Sequence, residues 1–270
     1  MPELPEVETT RRGIAPSLIG KAITEVRIRN GKLRWPVDYQ LPEFLPGQTL
    51  LALERRAKYL LFRFEHGVLI GHLGMSGSLR IVPQAHPPQT HDHIDLVFGE
   101  QALRLRDPRR FGAMLWHSGD PMQHPLLSHL GPEPLQDTFN GDTLYQSLRT
   151  RQAAIKLAIM DAHVVVGVGN IYASESLFLA GIRPTTPAHR LSRARCTRLA
   201  EAIKTILSRA IEAGGSSLRD FFHADGQSGY FQQQYAAYAR TGEACRHCNT
   251  PIRQIQQGQR STFYCPKCQR

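Results

Sequence analysis

The sequence predicts a multidomain α+β protein with an N-terminal antiparallel β-sandwich and flanking helices, followed by a helical region and a small metal-binding ribbon. Segments with strand patterning crowd the first half of the chain without the alternating strand-helix rhythm of a parallel sheet. Helical periodicity replaces that patterning in the second half, and two closely spaced cysteine pairs stand near the end. A chain of 270 residues, 41% of them hydrophobic, is long enough for about two domains, each with a buried core.

The first half begins with a helix and continues with strands. Pro5 suits the first turn of a helix predicted over Glu6–Leu18. Period-2 or continuous β-rich patterning predicts strands over Ala22–Arg29, Thr49–Glu65, Val68–His72, Asp92–Phe98 and Ala102–Arg106. We expect turns at His66-Gly67 and Gly99-Glu100. The segment Gly131-Pro132-Glu133-Pro134 ends this region, so the predicted first domain spans 1–131.

The second predicted domain, 132–236, is helical. Helices are expected over Ala153–Asp161 and Ile171–Ala180, joined by a turn-rich segment, with Asn170 as an N-cap and Gly181 at the C-terminal end. A longer helix begins after Ser192 and ends at Gly214-Gly215. Two helices joined by glycine-containing turns can present backbone N–H groups to phosphate, although an ordinary helical hairpin has the same pattern.

The cysteines predict a metal site in a third domain, 237–270. Two Cys-x2-Cys pairs, separated by sixteen residues, supply four thiolates with the spacing of a structural zinc site: Cys245, Cys248, Cys265 and Cys268. Residues 262–264 lying opposite 252–255 would form a hairpin between the pairs. A mononuclear iron site would use the same ligands, whereas disulfides are disfavoured in the cytosol.

The charge distribution points to a polyanionic partner. The chain carries 33 Lys and Arg against 23 Asp and Glu, and its last 32 residues hold six cations and only Glu243. No apolar run approaches the roughly 18 residues of a membrane-spanning helix, so we expect no membrane partner. The first eight residues contain three glutamates and two prolines, unlike a targeting signal, which predicts a cytoplasmic protein.

Pro2 is a candidate nucleophile. Removal of Met1 ahead of a small residue would expose its secondary amine, and an α-amino group has a pKa of about 7.7–8.0 against about 10.4 for lysine. Such an amine can attack a sugar aldehyde carbon at neutral pH, and the resulting iminium promotes β-elimination of a phosphate. Glu3 is placed to transfer protons. The alternative is that Met-Pro-Glu simply begins the helix.

Several motifs along the whole chain resemble the bacterial formamidopyrimidine-DNA glycosylase family. They are Met1–Gly13, Arg55–Tyr59, His72–Gly77, Asp107–Gly112, Val166–Glu175 and the cysteine ribbon. The sister enzyme endonuclease VIII typically begins Met-Pro-Glu-Gly-Pro, so Leu4 favours the formamidopyrimidine branch.

The resemblance implies a helix-two-turns-helix domain, a zinc finger and a bifunctional enzyme of base excision repair. Such an enzyme removes 8-oxoguanine and formamidopyrimidines and then cuts the abasic strand. Carried over by motif, Pro2 is the Schiff-base nucleophile and Glu3 the acid of base release. Lys58 is assigned to β-elimination and Arg260 to δ-elimination. Considered without the family, Lys58 belongs to a basic patch and Arg260 is a phosphate contact at a hairpin tip.

The resemblance also implies how DNA is held. Met75, Arg109 and Phe111 match a wedge that fills the gap left by an extruded nucleotide. Candidate phosphate ligands are His91, Arg151, Lys156 and Asn170, with Arg149 competing for the place of Arg151. Arg104 and Arg106 are expected on a basic strand face that contacts the DNA backbone.

The base pocket is expected to include Glu6, Ser217 and Tyr230, the latter two from a loop over residues 215–230. The expected partner is duplex DNA with oxidised purines or abasic sites, bound by a monomer. A DNA-binding homologue without chemistry is the alternative, and Pro2, Glu3 and Lys58 favour the enzyme.

Overall fold

The computed structural model describes residues 1–216 and 230–270, which fall into two compact units. The first, called the sandwich unit, comprises Met1–Ser128 and Gly214–Tyr230. The second, called the helical unit, comprises His129–Ala213 and Phe231–Arg270 and includes the cysteine ribbon. The predicted antiparallel sandwich, helices and C-terminal ribbon are all present, which confirms the fold class.

The sandwich unit begins with α1 (Leu4–Leu18), which carries Pro5 in its first turn as predicted. A short helix, α2 (Leu41–Phe44), follows later. The eight strands are β1 (Glu25–Ile28), β2 (Ala52–Arg56), β3 (Tyr59–Phe64), β4 (Gly67–His72), β5 (Ser78–Pro83), β6 (Asp92–Phe98), β7 (Gln101–Arg106) and β8 (Ala113–His117).

The strands form two four-stranded antiparallel sheets, ordered β1-β6-β7-β5 and β2-β3-β4-β8. Every residue of β6 is buried, and α1 packs against β2, β3 and β5, so the helix is held by strands of both sheets. Gly99 has φ +66° in the predicted turn between β6 and β7. This packing fixes the start of α1 relative to the loops that join the strands.

Three differences from the sequence-based prediction concern the strands. The single strand expected over Thr49–Glu65 is a hairpin, in which Ala57 and Lys58 form the turn between β2 and β3. Ala22 lies outside β1 and forms only an isolated bridge with Thr49. Strands β5 and β8 were not predicted: β5 ends in Pro83, and β8 contains Ala113, Met114 and Leu115, so neither has a strong strand signal in the sequence.

The helical unit contains α3 (Gly141–Leu148), α4 (Ile155–Ile159), α5 (Asn170–Leu179) and α6 (Arg193–Glu212). The Ser192 side chain caps α6 as predicted, and Gly181 follows α5 with φ +67°. The N-cap of α5 is Gly169 and not Asn170, whose side chain has other partners. None of the helices among the described residues is long and apolar enough to cross a membrane.

A two-stranded hairpin completes the helical unit. Strands β9 (Arg253–Gln257) and β10 (Arg260–Tyr264) pair in antiparallel register, with Thr262 opposite Ile255 as predicted. Gly258 and Gln259 both have positive φ, +50° and +61°, which is the backbone of a tight two-residue hairpin turn. Arg260 is therefore the first residue after the turn, at the tip of the hairpin.

Candidate active site, nucleic-acid interface and metal centre

The start of α1 holds Pro2 and Glu3 in a buried position. Glu3 precedes the first helical residue in an extended conformation, with φ −101° and ψ −170°. Its backbone N–H donates to Glu6 Oε2 over 2.8 Å, which is the reciprocal bond of a capping box. Glu6 therefore fixes the backbone of the residue that follows the candidate nucleophile.

The second carboxylate oxygen of Glu6 accepts a hydrogen bond from Ser216 N–H over 2.8 Å. Gly215 lies against the same side chain with φ +79°, and a Cβ there would stand 3.2 Å from Glu6 Oε1. Glu6 thus links the start of α1 to residues 215 and 216. Its role in a base pocket stays a prediction, Ser217 lies outside the described residues, and Tyr230 is 62% exposed.

Lys58 lies at the turn that ends β2. Two contacts set the direction of that strand along α1: Arg55 Nε to Glu8 Oε2 at 3.3 Å, and Arg11 Nη1 to the Leu53 carbonyl at 3.1 Å. The helix and strand therefore run antiparallel. A strand rises about 3.3 Å per residue and a helix about 1.5 Å per residue. The turn after β2 therefore lies towards the N-terminus of α1. The register thus indicates that Lys58 lies towards the end of α1 that holds Glu3.

Glu8 stabilises this register as a charged group. Burial raises the pKa of its carboxyl, but hydrogen bonds from Arg11 and Arg12 and the charge of Arg55 outweigh burial and lower it. Arg55 also donates to the Ala57 carbonyl over 2.9 Å. Arg55 therefore holds in place the turn that contains Lys58.

His72 is an uncharged neighbour of Lys58. Burial, together with the positive charges of Lys58 and Arg34, lowers the pKa of His72 to about 4. Its Nδ1 accepts a hydrogen bond from Gly74 N–H over 3.0 Å, which requires that nitrogen to be unprotonated. His72 thus fixes the beginning of the loop that carries Met75.

The three predicted wedge residues lie on two loops of the sandwich unit. Met75 is on the loop between β4 and β5, and Arg109 and Phe111 are on the loop between β7 and β8. Met75 and Phe111 are 37% and 42% exposed, so both side chains are accessible from solvent. The Arg109 guanidinium carbon stands 5.1 Å from the centre of the Phe111 ring. The exposed Phe111 ring can stack on a base, and the guanidinium beside it can donate hydrogen bonds to base edges.

The predicted basic face of β7 is wrong for Arg104. This residue is 1% exposed, and its guanidinium forms a bidentate pair with Asp95, both bonds being 2.8 Å. It also donates to the carbonyls of His86 and Pro87, which precede the exposed candidate ligand His91. Two buried aspartates on β6, Asp92 and Asp95, hold the Arg104 guanidinium inside the protein. The alternation of apolar and cationic residues along β7 does not reveal these partners.

In the helical unit, Lys156 and Asn170 form one hydrogen-bonded cluster with β10. Lys156 is fully buried, and its ammonium donates to Asn170 Oδ1 at 2.6 Å, Thr262 Oγ1 at 2.7 Å and the Ser261 carbonyl at 3.1 Å. Asn170 Nδ2 donates to the same Ser261 carbonyl over 3.1 Å. The cluster holds the first residue of α5 against the hairpin, and direct phosphate contacts by this pair stay a prediction.

Arg151 pairs with Asp161, its Nη1 lying 2.6 Å from the carboxylate. Burial raises the pKa of Asp161, but hydrogen bonds from His163 and Arg151 outweigh it and lower the value. The competing residue Arg149 stacks over the Tyr145 ring at 5.5 Å. Either arginine remains a candidate phosphate ligand. At the hairpin tip, Arg260 is exposed to solvent.

The four cysteine sulfurs lie within 4.8 Å of one another. Cys245 and Cys268 Sγ are 3.9 Å apart, and Cys248 and Cys265 Sγ are 3.5 Å apart. A disulfide requires about 2.05 Å, whereas tetrahedral thiolates on zinc at about 2.3 Å stand about 3.8 Å from one another. The spacing therefore fits a four-coordinate metal and excludes disulfides among these residues. Four protein ligands complete the shell of a structural ion.

Two further carboxylates with structural roles, Asp107 and Glu175, were not predicted. Asp107, buried between the wedge loops, accepts hydrogen bonds from both. Glu175 on α5 accepts three backbone N–H bonds of 2.7–2.9 Å from Ala236, Ala237 and Tyr238, the chain leading to the ribbon. Burial raises the pKa of Glu175 in spite of these bonds. Asp107 could have been suspected from its place before Pro108, since aspartate in turns commonly accepts backbone N–H bonds.

Comparison with known proteins agrees with this arrangement. Residues 1–114 match the family model of the formamidopyrimidine-DNA glycosylase N-terminal domain, 130–222 that of its H2TH domain, and 242–270 that of a zinc finger found in FPG and IleRS. With the sulfur geometry, the last match establishes that the four cysteines bind one structural zinc ion.

Relatives match over the whole chain. Formamidopyrimidine-DNA glycosylases of Janthinobacterium sp. (strain Marseille) and Herminiimonas arsenicoxydans are 61% and 58% identical, each over 100% of both chains. A crystal structure of the MutM (FPG) protein from Thermus thermophilus is 36% identical with a TM-score of 0.89, covering 99% of this chain and 98% of that one. The Lactococcus lactis FPG mutant G226P, in complex with a Fapy-dG containing DNA, is 34% identical with a TM-score of 0.93 over 100% of both chains. The chain belongs to the formamidopyrimidine-DNA glycosylase family.

Proposed function

We propose that this protein is a bifunctional DNA glycosylase and abasic-site lyase of base excision repair. It removes oxidised purines from duplex DNA through a Schiff base on Pro2 and then cuts the strand by β- and δ-elimination. The observation that carries this proposal is the buried start of α1, where the Glu6 carboxylate holds the backbone of Glu3 directly after Pro2. Relatives matched over their full length bear the name of this activity.

The chemistry requires a nucleophilic amine, an acid for the release of the base, and groups that assist the two eliminations. With Met1 removed, the Pro2 nitrogen attacks the sugar C1′ as the damaged base leaves, and Glu3 supplies the proton that this step needs. The sugar ring then opens: the C1′–O4′ bond breaks, O4′ takes up a proton, and the iminium that forms acidifies C2′. Loss of the C2′ proton expels the 3′ phosphate, with Lys58 assisting proton transfer. A second elimination, assisted by Arg260, expels the 5′ phosphate, and hydrolysis releases the sugar fragment from Pro2.

Access to C1′ requires that the damaged nucleotide leave the base stack, at a cost of a few kcal/mol. Met75 and Phe111 fill the gap, and Arg109 pairs with the cytosine left behind. His91, Arg151, Lys156 and Asn170 serve the phosphate backbone, either directly or by positioning their neighbours. Glu6, Ser217 and Tyr230 contribute to the base pocket.

The zinc ion holds the ribbon and takes no part in the reaction, since its ligands are four thiolates. We propose three functional domains, 1–131, 132–236 and 237–270, acting as a monomer on duplex DNA. Because a bacterium keeps its chromosome in the cytoplasm, we propose that the protein works there, on the nucleoid.

The test compares Glu3→Gln with the unchanged protein on two substrates. On duplex DNA with 8-oxoguanine opposite cytosine, base release in single turnovers should fall by roughly 10²–10⁴ because the amide cannot give up a proton. Cutting of a preformed abasic site should fall much less. The unchanged protein should release 8-oxoguanine faster than an oxidised pyrimidine such as thymine glycol.

Three results would count against the proposal. Binding without any base release would indicate a recognition protein without chemistry. Preference for thymine glycol would place the protein in the endonuclease VIII branch. Equal losses on both substrates would assign Glu3 a positioning role for Pro2 and not a separate role in base release.

A further inference from the structure

The wedge loops, Leu73–Gly77 and Asp107–Gly112, meet around a single buried carboxylate. Asp107 is fully buried. Its Oδ1 accepts from the Ser76 hydroxyl at 2.9 Å and from Arg109 N–H at 3.3 Å, and its Oδ2 accepts from Gly112 N–H at 2.7 Å. One side chain therefore bonds to the residue after Met75, to Arg109 itself and to the residue after Phe111.

The Ser76 hydroxyl closes the connection between the loops. It donates to Asp107 and accepts from Arg109 N–H over 3.2 Å, so Arg109 N–H is shared between two oxygens. The hydrogen bonds to the carboxylate come from a hydroxyl and two backbone N–H groups. A buried charge is costly unless it is well bonded, so these donors are required to keep Asp107 in place.

The loops also approach each other backbone to backbone. A Cβ added at Gly74, which has φ +63°, would stand 2.4 Å from the Phe111 carbonyl carbon. A Cβ at Gly112 would stand 2.9 Å from the His72 carbonyl oxygen and 3.0 Å from Asp107 Oδ2. Glycine at these positions allows the contact that the carboxylate then fixes.

The backbone of Asp107 extends the same arrangement to a candidate phosphate ligand. Its N–H donates to the His91 carbonyl over 3.0 Å, and its carbonyl bonds to His93 Nε2 over 2.8 Å. His91 has φ +74°, a backbone conformation that non-glycine residues adopt only when their surroundings hold them there.

We infer that Asp107 is a positioning residue for DNA recognition: it sets the relative places of Met75, Arg109 and Phe111 before DNA is bound. The inference rests on the proposed role of these three residues as the wedge. Its physical basis is that three exposed side chains on two loops can enter a base stack together only if the loops are fixed beforehand. A carboxylate is needed because an asparagine offers one acceptor oxygen, and its amide nitrogen would face a donor.

The test is a comparison of Asp107→Asn with Arg109→Ala and the double variant. Excision of 8-oxoguanine is measured opposite cytosine and opposite adenine under single-turnover conditions, and the ratio of the two rates reports orphan-base recognition. We expect Arg109→Ala to lower this ratio by roughly ten- to a hundredfold and Asp107→Asn to lower it by roughly tenfold. Asp107→Asn added to Arg109→Ala should change the ratio by less than about twofold, since it acts through Arg109.

A second readout is the fluorescence of 2-aminopurine placed opposite an abasic site, which reports unstacking by the wedge. Its change on binding should be reduced in Asp107→Asn. Ser76→Ala, which removes one donor and leaves the two backbone bonds, should give a smaller effect in the same direction. Asp120→Asn is the matched control, because Asp120 also accepts a backbone N–H, from Met122 over 2.9 Å, in a turn outside both loops.

The possible outcomes distinguish a failure of the role inferred for Asp107 from a failure of the role proposed for Arg109. If Arg109→Ala loses discrimination while Asp107→Asn and Ser76→Ala keep it, the positioning role of Asp107 is wrong. If Arg109→Ala keeps full discrimination, the proposed role of Arg109 is wrong. If Asp107→Asn lowers both rates equally, with unchanged ratio and unchanged 2-aminopurine signal, Asp107 supports folding alone and the inference is overturned.

Discussion

Glu6 is the residue through which the structure makes its sharpest prediction about catalysis. Its carboxylate is fully buried, and its two oxygens accept the backbone N–H groups of Glu3 and Ser216, both over 2.8 Å. In Glu6→Gln one oxygen becomes an amide group that donates and so faces another donor. One charge-assisted hydrogen bond is lost, which removes about 1.5–3 kcal/mol of stabilisation.

We expect both the melting temperature and the single-turnover rates of Glu6→Gln to be lower than those of the unchanged protein. At about 2–4 °C per kcal/mol for a protein of this size, the melting temperature of Glu6→Gln should fall by roughly 3–12 °C. A misplacement of about 1 Å at a reacting group costs on the order of 10² in rate. Because Glu6 fixes the backbone next to Pro2, we expect single-turnover rates to fall by roughly this factor both on 8-oxoguanine duplex and on a preformed abasic site.

The matched control is Glu54→Gln on β2. Glu54 is an exposed residue of the same unit whose carboxylate pairs with Arg63 over 2.9 Å, so stability and both rates should hardly change. A loss in Glu6→Gln confined to 8-oxoguanine release, with abasic-site cutting intact, would refute the positioning argument. That result would instead mean that Glu6 acts only through the base pocket and does not position Pro2.

Three further predictions concern the metal, the cluster around Lys156 and pH. Cys248→Ser should bring the zinc content close to zero by atomic absorption and abolish tight DNA binding while the sandwich unit stays folded, and binding that survives metal loss would contradict this. Lys156→Met should lower the affinity for DNA, titrated at fixed salt, by the same factor whether cytosine or adenine lies opposite the lesion. The reason is that the Lys156 ammonium holds Asn170 and the hairpin and contacts no base. A loss of affinity for only one of the two duplexes would contradict this prediction. Because the pKa of His72 is lowered in the folded protein, the unfolded chain binds a proton at this residue more readily than the folded one. The free energy of unfolding should therefore fall as the pH drops from about 6.5 to about 4, by about 3 kcal/mol at most. His72→Asn, whose amide oxygen takes the place of Nδ1 and can still accept from Gly74 N–H, does not titrate in this range. In denaturant titrations it should therefore lose less stability between pH 7 and 4.5 than the unchanged protein, and an equal loss would refute the assignment.

The parts of the fold that could be predicted are those with local signals. Pro5 in the first turn of α1, Ser192 at the start of α6 and the glycine after α5 mark helix ends through their own backbone or side-chain chemistry. The cysteine spacing predicted the metal centre for the same reason, since each pair and its turn form a local unit.

Features that depend on distant partners could not be predicted. The hairpin turn at Ala57 and Lys58 has φ +54° at alanine, so the asparagine or glycine that usually marks such a turn is missing. Arg104 is buried because Asp95 on the neighbouring strand pairs with it. The same holds at the site: motifs identified Met75, Arg109 and Phe111, but the hydrogen bonds that Asp107 accepts from both of their loops depend on the folded structure.

The measurement that tests the central claim most directly is reductive trapping on DNA. Borohydride added during reaction with 8-oxoguanine duplex should yield a covalent protein–DNA adduct, and peptide mapping should place it on the nitrogen of Pro2. A variant with residues retained ahead of Pro2 should bind the duplex and fail to trap. An adduct on Lys58, or undiminished trapping when Pro2 is no longer terminal, would contradict the account.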